Sequence, residues 1–277
     1  MGLILVWDIP TRLLHWALTV MFLAALGIAL AADDESPLFR MHMLFGLAAA
    51  VIVAFRAVWG VFGSKYARFT SFLFGPKALS QYLRGAVTGT APRHVGHNPG
   101  SAYAIYSMLL LTLALGATGW LISGGNERFE ELHGLFAYAM LAVVLSHLMG
   151  IIWHTVRHRE NIAWSMVSGR KMGEPSQAIR SDHPFVGIAF LVLWSAWTAS
   201  LFASYDPSSG QVSLPILGST VRLGKIETDE ERRKDDSERN DRPDGDHHVH
   251  DGDGHKGQGT LTEHRPRDHD KHDEREH

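Results

Sequence analysis

The chain has 277 residues, of which 45% are hydrophobic and 20% charged, and its formal net charge is −3. It contains no cysteine, which excludes disulfides, cysteine-ligated iron–sulfur clusters and thioether attachment of a cofactor through a C-x-x-C-H motif. These averages join two unlike parts. Residues 1 to about 205 hold long uncharged runs, whereas residues 206–277 are dominated by charged residues, histidine and glycine.

Five apolar runs are long enough to cross a bilayer, which takes roughly 20 apolar residues. Arg56 is the one charged residue within them. So little polar surface is left to face water that the sequence predicts an all-α integral membrane bundle. We expect the first run to remain in the protein, because it is longer than the core of a secretory signal. The runs are Leu13–Ala32, Met41–Gly63, Ser101–Gly125, Leu132–Val156 and Pro184–Tyr205.

The short loops predict the orientation of the bundle in the membrane, because positive residues favour the cytoplasmic side. The loop at residues 64–100 holds five Lys and Arg residues with no carboxylate, and residues 157–183 add more. The opposite loops, residues 33–40 and 126–131, hold two arginines against six carboxylates. We therefore expect a multi-pass protein of the bacterial inner membrane, with a cytoplasmic N-terminus and a periplasmic C-terminal tail.

The tail from Asp206 is poor in large apolar residues and rich in both signs of charge, so the sequence predicts disorder there. Eight of the seventeen histidines lie in the tail. A solvated low-complexity segment is one interpretation, and loose binding of zinc, nickel or copper through His247, His248 and His250 is the other.

Two histidines stand fourteen residues apart in the fourth run, His133 and His147. Fourteen residues are close to four helical turns, so both side chains leave one face, about 21 Å apart along the axis. That spacing suits two haem irons stacked across a membrane, provided other helices offer histidines at the same depths. Paired neutral imidazoles leave the iron no open position, which favours single-electron transfer over oxygen binding.

Counting from the charged ends of each run matches the histidines by depth. His42 lies two residues after Arg40 and His133 two residues after Glu131, at the start of runs that enter the bilayer from the same side. These two therefore form a predicted outer pair. At the inner level His15 has two candidate partners, His147 and His154, and the count alone leaves that choice open.

Arginines are candidate partners for the carboxylates of a haem. Arg56 lies fourteen residues beyond His42 on the same face, at the inner level, where it could either extend to the inner surface or pair with a haem propionate. Arg12 and Arg40 could bind propionates at the two rims.

Four separated motifs resemble the bacterial cytochrome b561 family, which includes the b-type cytochrome subunit of membrane-bound nickel–iron hydrogenases. The resemblance covers about residues 5 to 173. The motifs are VWDIPTRLLHW from Val6, RMHMLFG from Arg40 with FRAVWG from Phe55, HNPGSA from His97, and ELHGLFAYAMLAVVLSHLMG from Glu131, which continues to HRENIAWSMVSGRKMG.

The resemblance implies a four-helix core that binds two haem b groups through His15, His42, His133 and His147. It selects His147 over His154, which then becomes a neighbour of the inner haem or a proton-carrying group near a quinone site. It also implies electron transfer between a quinone pool and a redox partner protein, such as a c-type cytochrome or a hydrogenase or dehydrogenase subunit. Whether the chain is itself an enzyme or one subunit of an oxidoreductase is left open.

The predicted organisation is a dihaem core at residues 1–173, a linker and fifth transmembrane helix at 174–205, and the charged tail at 206–277. The closest alternative is the membrane anchor of a hydrogenase or other dehydrogenase complex. A metal-ion transporter or sensor is a distant alternative, since no run contains the carboxylates such a path would need. A haem-free structural anchor is a further one. Besides the bilayer, we expect a quinone and a protein as partners, and no nucleic acid.

Overall fold

The computed structural model describes residues 2–33, 36–215 and 218–223, and within them the predicted membrane bundle is confirmed. Five of the described α-helices are long and apolar enough to span a membrane, and each covers one predicted run. Two shorter helices, α3 and α6, lie in the loops between them. The helices are α1 Ile9–Ala31, α2 Phe39–Phe62, α3 Pro76–Thr88, α4 Pro99–Ser123, α5 Glu130–His158, α6 Ile162–Ser168 and α7 Pro184–Ser204.

Local sequence signals set where the spanning helices begin. Asp8 caps α1, because its side chain accepts a hydrogen bond from the Thr11 backbone N–H at 2.8 Å. Asn98 caps α4 through a reciprocal capping box with Ser101. Both helices carry proline in the first turn, where the missing N–H costs nothing. The caps fix the helix starts four residues before the apolar run in α1 and two residues before it in α4.

The spanning helices pack as two antiparallel pairs, α1 with α2 and α4 with α5, joined through α2 and α4. Helix α7 lies against α1 and α2. The described backbone of α5 packs mainly on α4 and stands off from α1 and α2. Contacts between α5 and the first pair are therefore made by side chains, as His42 and His133 show.

Most large side chains on the outside of the bundle are aliphatic. Leu23, Leu110, Leu145 and Val192 are more than half exposed, as are many others on the spanning helices. Such a surface is unfavourable in water and suited to lipid, where the helices satisfy their own backbone groups. The tightly packed interior lies between α1 and α2 and includes Leu14, Ala48 and Ile52 among its members.

A two-stranded antiparallel ribbon lies at the end of the bundle that holds the N-terminus. Strand β1, Gly2–Leu5, pairs with β2, Arg170–Gly173, in the register Gly2 to Gly173 and Leu5 to Arg170. Buried Ile4, Val6 and Trp7 pack beneath it. The ribbon was absent from the predicted all-α architecture, because four residues without strict alternation give no strand signal.

A second ribbon corrects the prediction of disorder from Asp206. Strands β3, Gln211–Ser213, and β4, Thr220–Arg222, form an antiparallel hairpin. Its apolar residues Val212, Leu214, Val221 and Leu223 are buried against α2 and α7, which explains why this short stretch folds despite its polar neighbours. The predicted tail metal ligands His247, His248 and His250 lie outside the described residues.

Candidate cofactor site

His42 and His133 lie side by side although they come from different helices, α2 and α5. Their ring centres are 6.2 Å apart and the ring planes are inclined by 74°. Both residues sit in the first turn or so of helices that run in the same direction, which is why depth counting paired them. The structure thus brings together the predicted outer pair.

Hydrogen bonds fix which nitrogen of each ring holds the proton. The Nδ1 of His42 lies 2.9 Å from the carbonyl oxygen of Ala25, which can only accept, so Nδ1 donates. The Nδ1 of His133 lies 2.8 Å from Thr118 Oγ1. The Thr118 hydroxyl gives its own hydrogen to the Ala114 carbonyl at 2.8 Å, so it accepts from His133. In both neutral rings the lone pair is therefore on Nε2.

This geometry fits two axial ligands of one iron. Two imidazole nitrogens bound to one metal at about 2 Å each place the ring centres roughly 6 Å apart, close to the 6.2 Å separation observed. Metal-bound histidines usually donate their second ring N–H to a protein acceptor, as both of these do. Gly119 faces His133, where an added Cβ would lie 3.6 Å from the ring, and space beside Gly46 is open.

At the end of the bundle that holds the N-terminus, His15 on α1 and His147 on α5 are close enough for a positive charge on His147 to act on His15. The buried Nδ1 of His15 has no hydrogen-bond partner within the described part of the chain. His154 is directed elsewhere: its Nε2 lies 3.8 Å from a carboxylate oxygen of Glu160, and its ring lies 4.5 Å from that of His158. His147 and His154 therefore have different surroundings although they share a helix face.

The three predicted arginines also differ in their contacts. Arg56 is only 8% exposed, and its guanidinium lies 5.0 Å from the centre of the Phe69 ring. Its Nη1 has no hydrogen-bond partner among the residues described. Arg12 instead donates to the Val167 carbonyl at 2.7 Å and pairs with Asp182 at 3.2 Å. Arg40 donates to the Pro207 carbonyl at 2.9 Å.

Asp8 is a buried charge that sequence reasoning missed. It is 0% exposed, and the Trp59 indole N–H lies 3.1 Å from both of its carboxylate oxygens. It also interacts electrostatically with Arg56. The sequence signal for the cap was available, since an aspartate two residues before a proline is typical of a helix N-cap, but the nearby charge of Arg56 on the next helix was not visible.

A polar cluster in the loops beside the β1–β2 ribbon was also missed. Lys171 is 8% exposed and donates to the His94 carbonyl at 3.2 Å, and burial lowers the Lys171 pKa. Arg93 binds Glu160 at 2.6 Å. Burial chiefly lowers the pKa of His97, to about 3, with the charges of Arg56 and others adding to the effect. Among the residues that the structure describes, no group of three or more His, Asp or Glu side chains is arranged to hold a metal ion.

Comparison with known proteins assigns the chain to a family. The sequence model of the prokaryotic cytochrome b561 family matches residues 6–169, more than half of the chain. The chain belongs to the prokaryotic cytochrome b561 family. This cytochrome is 23% identical over 210 residues to the "Probable Ni/Fe-hydrogenase B-type cytochrome subunit" of Rhizobium leguminosarum bv. viciae, covering 60% of the chain and 88% of that protein. No solved structure matches it significantly.

Family membership confirms the resemblance found in the four motifs. The matched region contains all four predicted ligand histidines and the first four spanning helices. The chain is accordingly a multi-pass membrane b-type cytochrome that transfers electrons, and its family implies haem b as the cofactor.

Proposed function

We propose that this cytochrome binds two haem b groups, one near each membrane surface, and relays electrons between a quinone pool and a redox partner protein. The observation that carries the proposal is the pair His42 and His133, whose ring centres are 6.2 Å apart and whose Nδ1 atoms both donate to protein acceptors. When bound, haem b supplies reversible one-electron chemistry at its iron.

The residues around the outer pair do the positioning. The Ala25 carbonyl and the Thr118 hydroxyl hold the two rings in one tautomer, so each presents an Nε2 lone pair without rearrangement. Thr118 is only 4% exposed, which keeps water from competing for the His133 proton. Two histidine ligands would leave a bound haem iron without an open position, which would favour electron transfer.

For the inner haem we propose His15 and His147. The nearness of the two rings, which lets a charge on His147 act on His15, supports this pair, and the contact of His154 with Glu160 leaves His154 directed toward the polar cluster around Lys171. His154 would then be a neighbour of the haem or a proton carrier near a quinone site. Arg56, whose buried Nη1 has no hydrogen-bond partner among the described residues, is the proposed partner of an inner propionate. Arg12 and Arg40 already bind protein oxygens, so we assign them weaker roles at the rims.

The orientation and partners are inferred from charge and from similarity. The basic loops favour a cytoplasmic N-terminus and a periplasmic tail, whose predicted metal binding is a separate proposal. The name of the Rhizobium relative favours one version of the function, in which the chain is the membrane anchor of a hydrogenase and passes electrons from that enzyme to quinone.

A pyridine-haemochrome assay on purified protein tests the proposal directly. We expect about two b haems per chain, one of which is lost in His42→Ala and in His133→Ala. His147→Ala should lose the other haem, whereas His154→Ala, the matched control seven residues away, should keep both. Protein that is folded but free of haem would refute the proposal, and loss of the inner haem in His154→Ala alone would refute the choice of His147.

A further inference from the structure

His97 is a buried imidazole for which the proposed electron relay has given no role. It lies two residues before α4, with its ring 4.6 Å from that of Trp7 and 4.5 Å from that of Phe72. Its Nε2 is buried and has no hydrogen-bond partner in the described part of the chain. A buried polar atom without a partner is costly, so Nε2 is suited to a ligand that the described part of the protein does not supply.

The surroundings of His97 specify the charge of that ligand. The charges that act on the ring come from Arg56, Lys171, His147 and His15, all of them basic groups. Arg56 likewise has a buried Nη1 without a hydrogen-bond partner among the described residues. One fixed cation and one neutral imidazole therefore face the same inner region, beside the proposed inner ligands. Such a pair suits an anion that accepts two hydrogen bonds.

We propose that His97 and Arg56 together bind one propionate carboxylate of the inner haem, through Nε2 and Nη1 respectively. The inference rests on the proposed function, because it presupposes a haem held by His15 and His147. His97 is a positioning residue, since it acts on the edge of the cofactor rather than on the iron. A carboxylate matches the site better than a neutral carbonyl oxygen, because Arg56 is a full charge in a buried position.

The variant that tests this is His97→Phe, which keeps an aromatic ring between Trp7 and Phe72 but removes Nε2. His97→Gln restores an N–H donor. The matched control is His94→Phe, because His94 lies three residues earlier, also packs among aromatic rings, and is not among the groups acting on His97. Haem content by pyridine haemochrome comes first, followed by redox titration of both haems and resonance Raman spectra of the haem carboxylate modes.

A carboxylate that loses a hydrogen bond keeps more of its negative charge, which stabilises ferric iron. We therefore expect His97→Phe to shift the reduction equilibrium of one haem toward the oxidised form about tenfold, equal to about 59 mV for a one-electron couple. The carboxylate Raman mode of that haem should change, the other haem should not, and His97→Gln should lie close to the wild type.

Each other outcome counts against the proposal. If His97→Phe keeps both haems with an unchanged carboxylate mode, the propionate contact is refuted. If only quinone-dependent activity falls while the mode is unchanged, the ligand of His97 is the quinone and not the haem. If His97→Phe loses the inner haem and His97→Gln does not restore it, the role is packing. Wild-type protein without haem would instead refute the proposed function.

Discussion

Replacing Thr118 with valine should weaken the outer haem site without touching a ligand. Valine keeps the shape of threonine but removes the oxygen that accepts the His133 Nδ1 proton at 2.8 Å. The site is only 4% exposed, so water cannot readily take over the hydrogen bond. Loss of such a support typically costs about 10- to 100-fold in metal affinity, which corresponds to about 1.4–2.8 kcal/mol.

The variant should also raise the reduction potential of the outer haem. A His133 ring that no longer donates its proton is a poorer electron donor to iron, so ferric iron is less stabilised. The assay is haem transfer from the purified protein to a haem-scavenging protein, followed by redox titration of the haem that remains. The faster loss should be confined to one of two b haems.

Thr112→Val is the matched control for this experiment. Thr112 lies on the same helix and donates its hydroxyl hydrogen to the Met108 carbonyl at 2.8 Å, as Thr118 does to Ala114. Within the described part of the chain Thr112 makes no hydrogen bond to a histidine, so its variant should release haem at the wild-type rate. Equal behaviour of the two variants would refute the assigned tautomer of His133 and its support by Thr118.

Two further substitutions test the buried charges. Asp8→Asn should destabilise the protein by about 1–3 kcal/mol, because an amide in this fully buried site cannot accept the Thr11 and Trp59 hydrogen bonds as the carboxylate does; the measurement is thermal unfolding in detergent. Glu160→Gln should lower stability at neutral pH and flatten its acid dependence. Burial acts to raise the pKa of Glu160, but the hydrogen bond and charge of Arg93 outweigh it and hold that pKa below the usual value. The stabilisation is therefore present above the ordinary carboxyl pKa and lost as the pH falls through the lowered one.

The half-exposed pair of Arg12 and Asp182 provides a control for Asp8→Asn. The side chain of Asp182 is 34% exposed, so Asp182→Asn should cost no more than about 1 kcal/mol. Equal costs for the two aspartate variants would contradict the importance of burial. An acid dependence that Glu160→Gln leaves unchanged would show that the Arg93 contact does not lower its pKa.

The spanning helices and the depth of their histidines could be predicted from the sequence, because both follow from runs of apolar residues and a fixed rise per residue. It could not show that Thr118 faces His133, since this depends on the rotation of α4 about its axis, and α4 is apolar on all sides. Nor could it assign Asp8 to Arg56, which are 48 positions apart (56 − 8) and meet only when α1 packs on α2. The hairpin of β3 and β4 escaped notice because its four buried residues are spread over a polar stretch.

The pairing of β1 with β2 has a consequence for biogenesis. Strand β1, Gly2–Leu5, is synthesised first. Its partner β2, Arg170–Gly173, is synthesised only after α1, α2, α4 and α5, so the ribbon cannot form before then. The end of the bundle that carries the ribbon is therefore completed only after four spanning helices have been made. We expect a cofactor that enters at this end to do so more easily before the ribbon forms than afterwards.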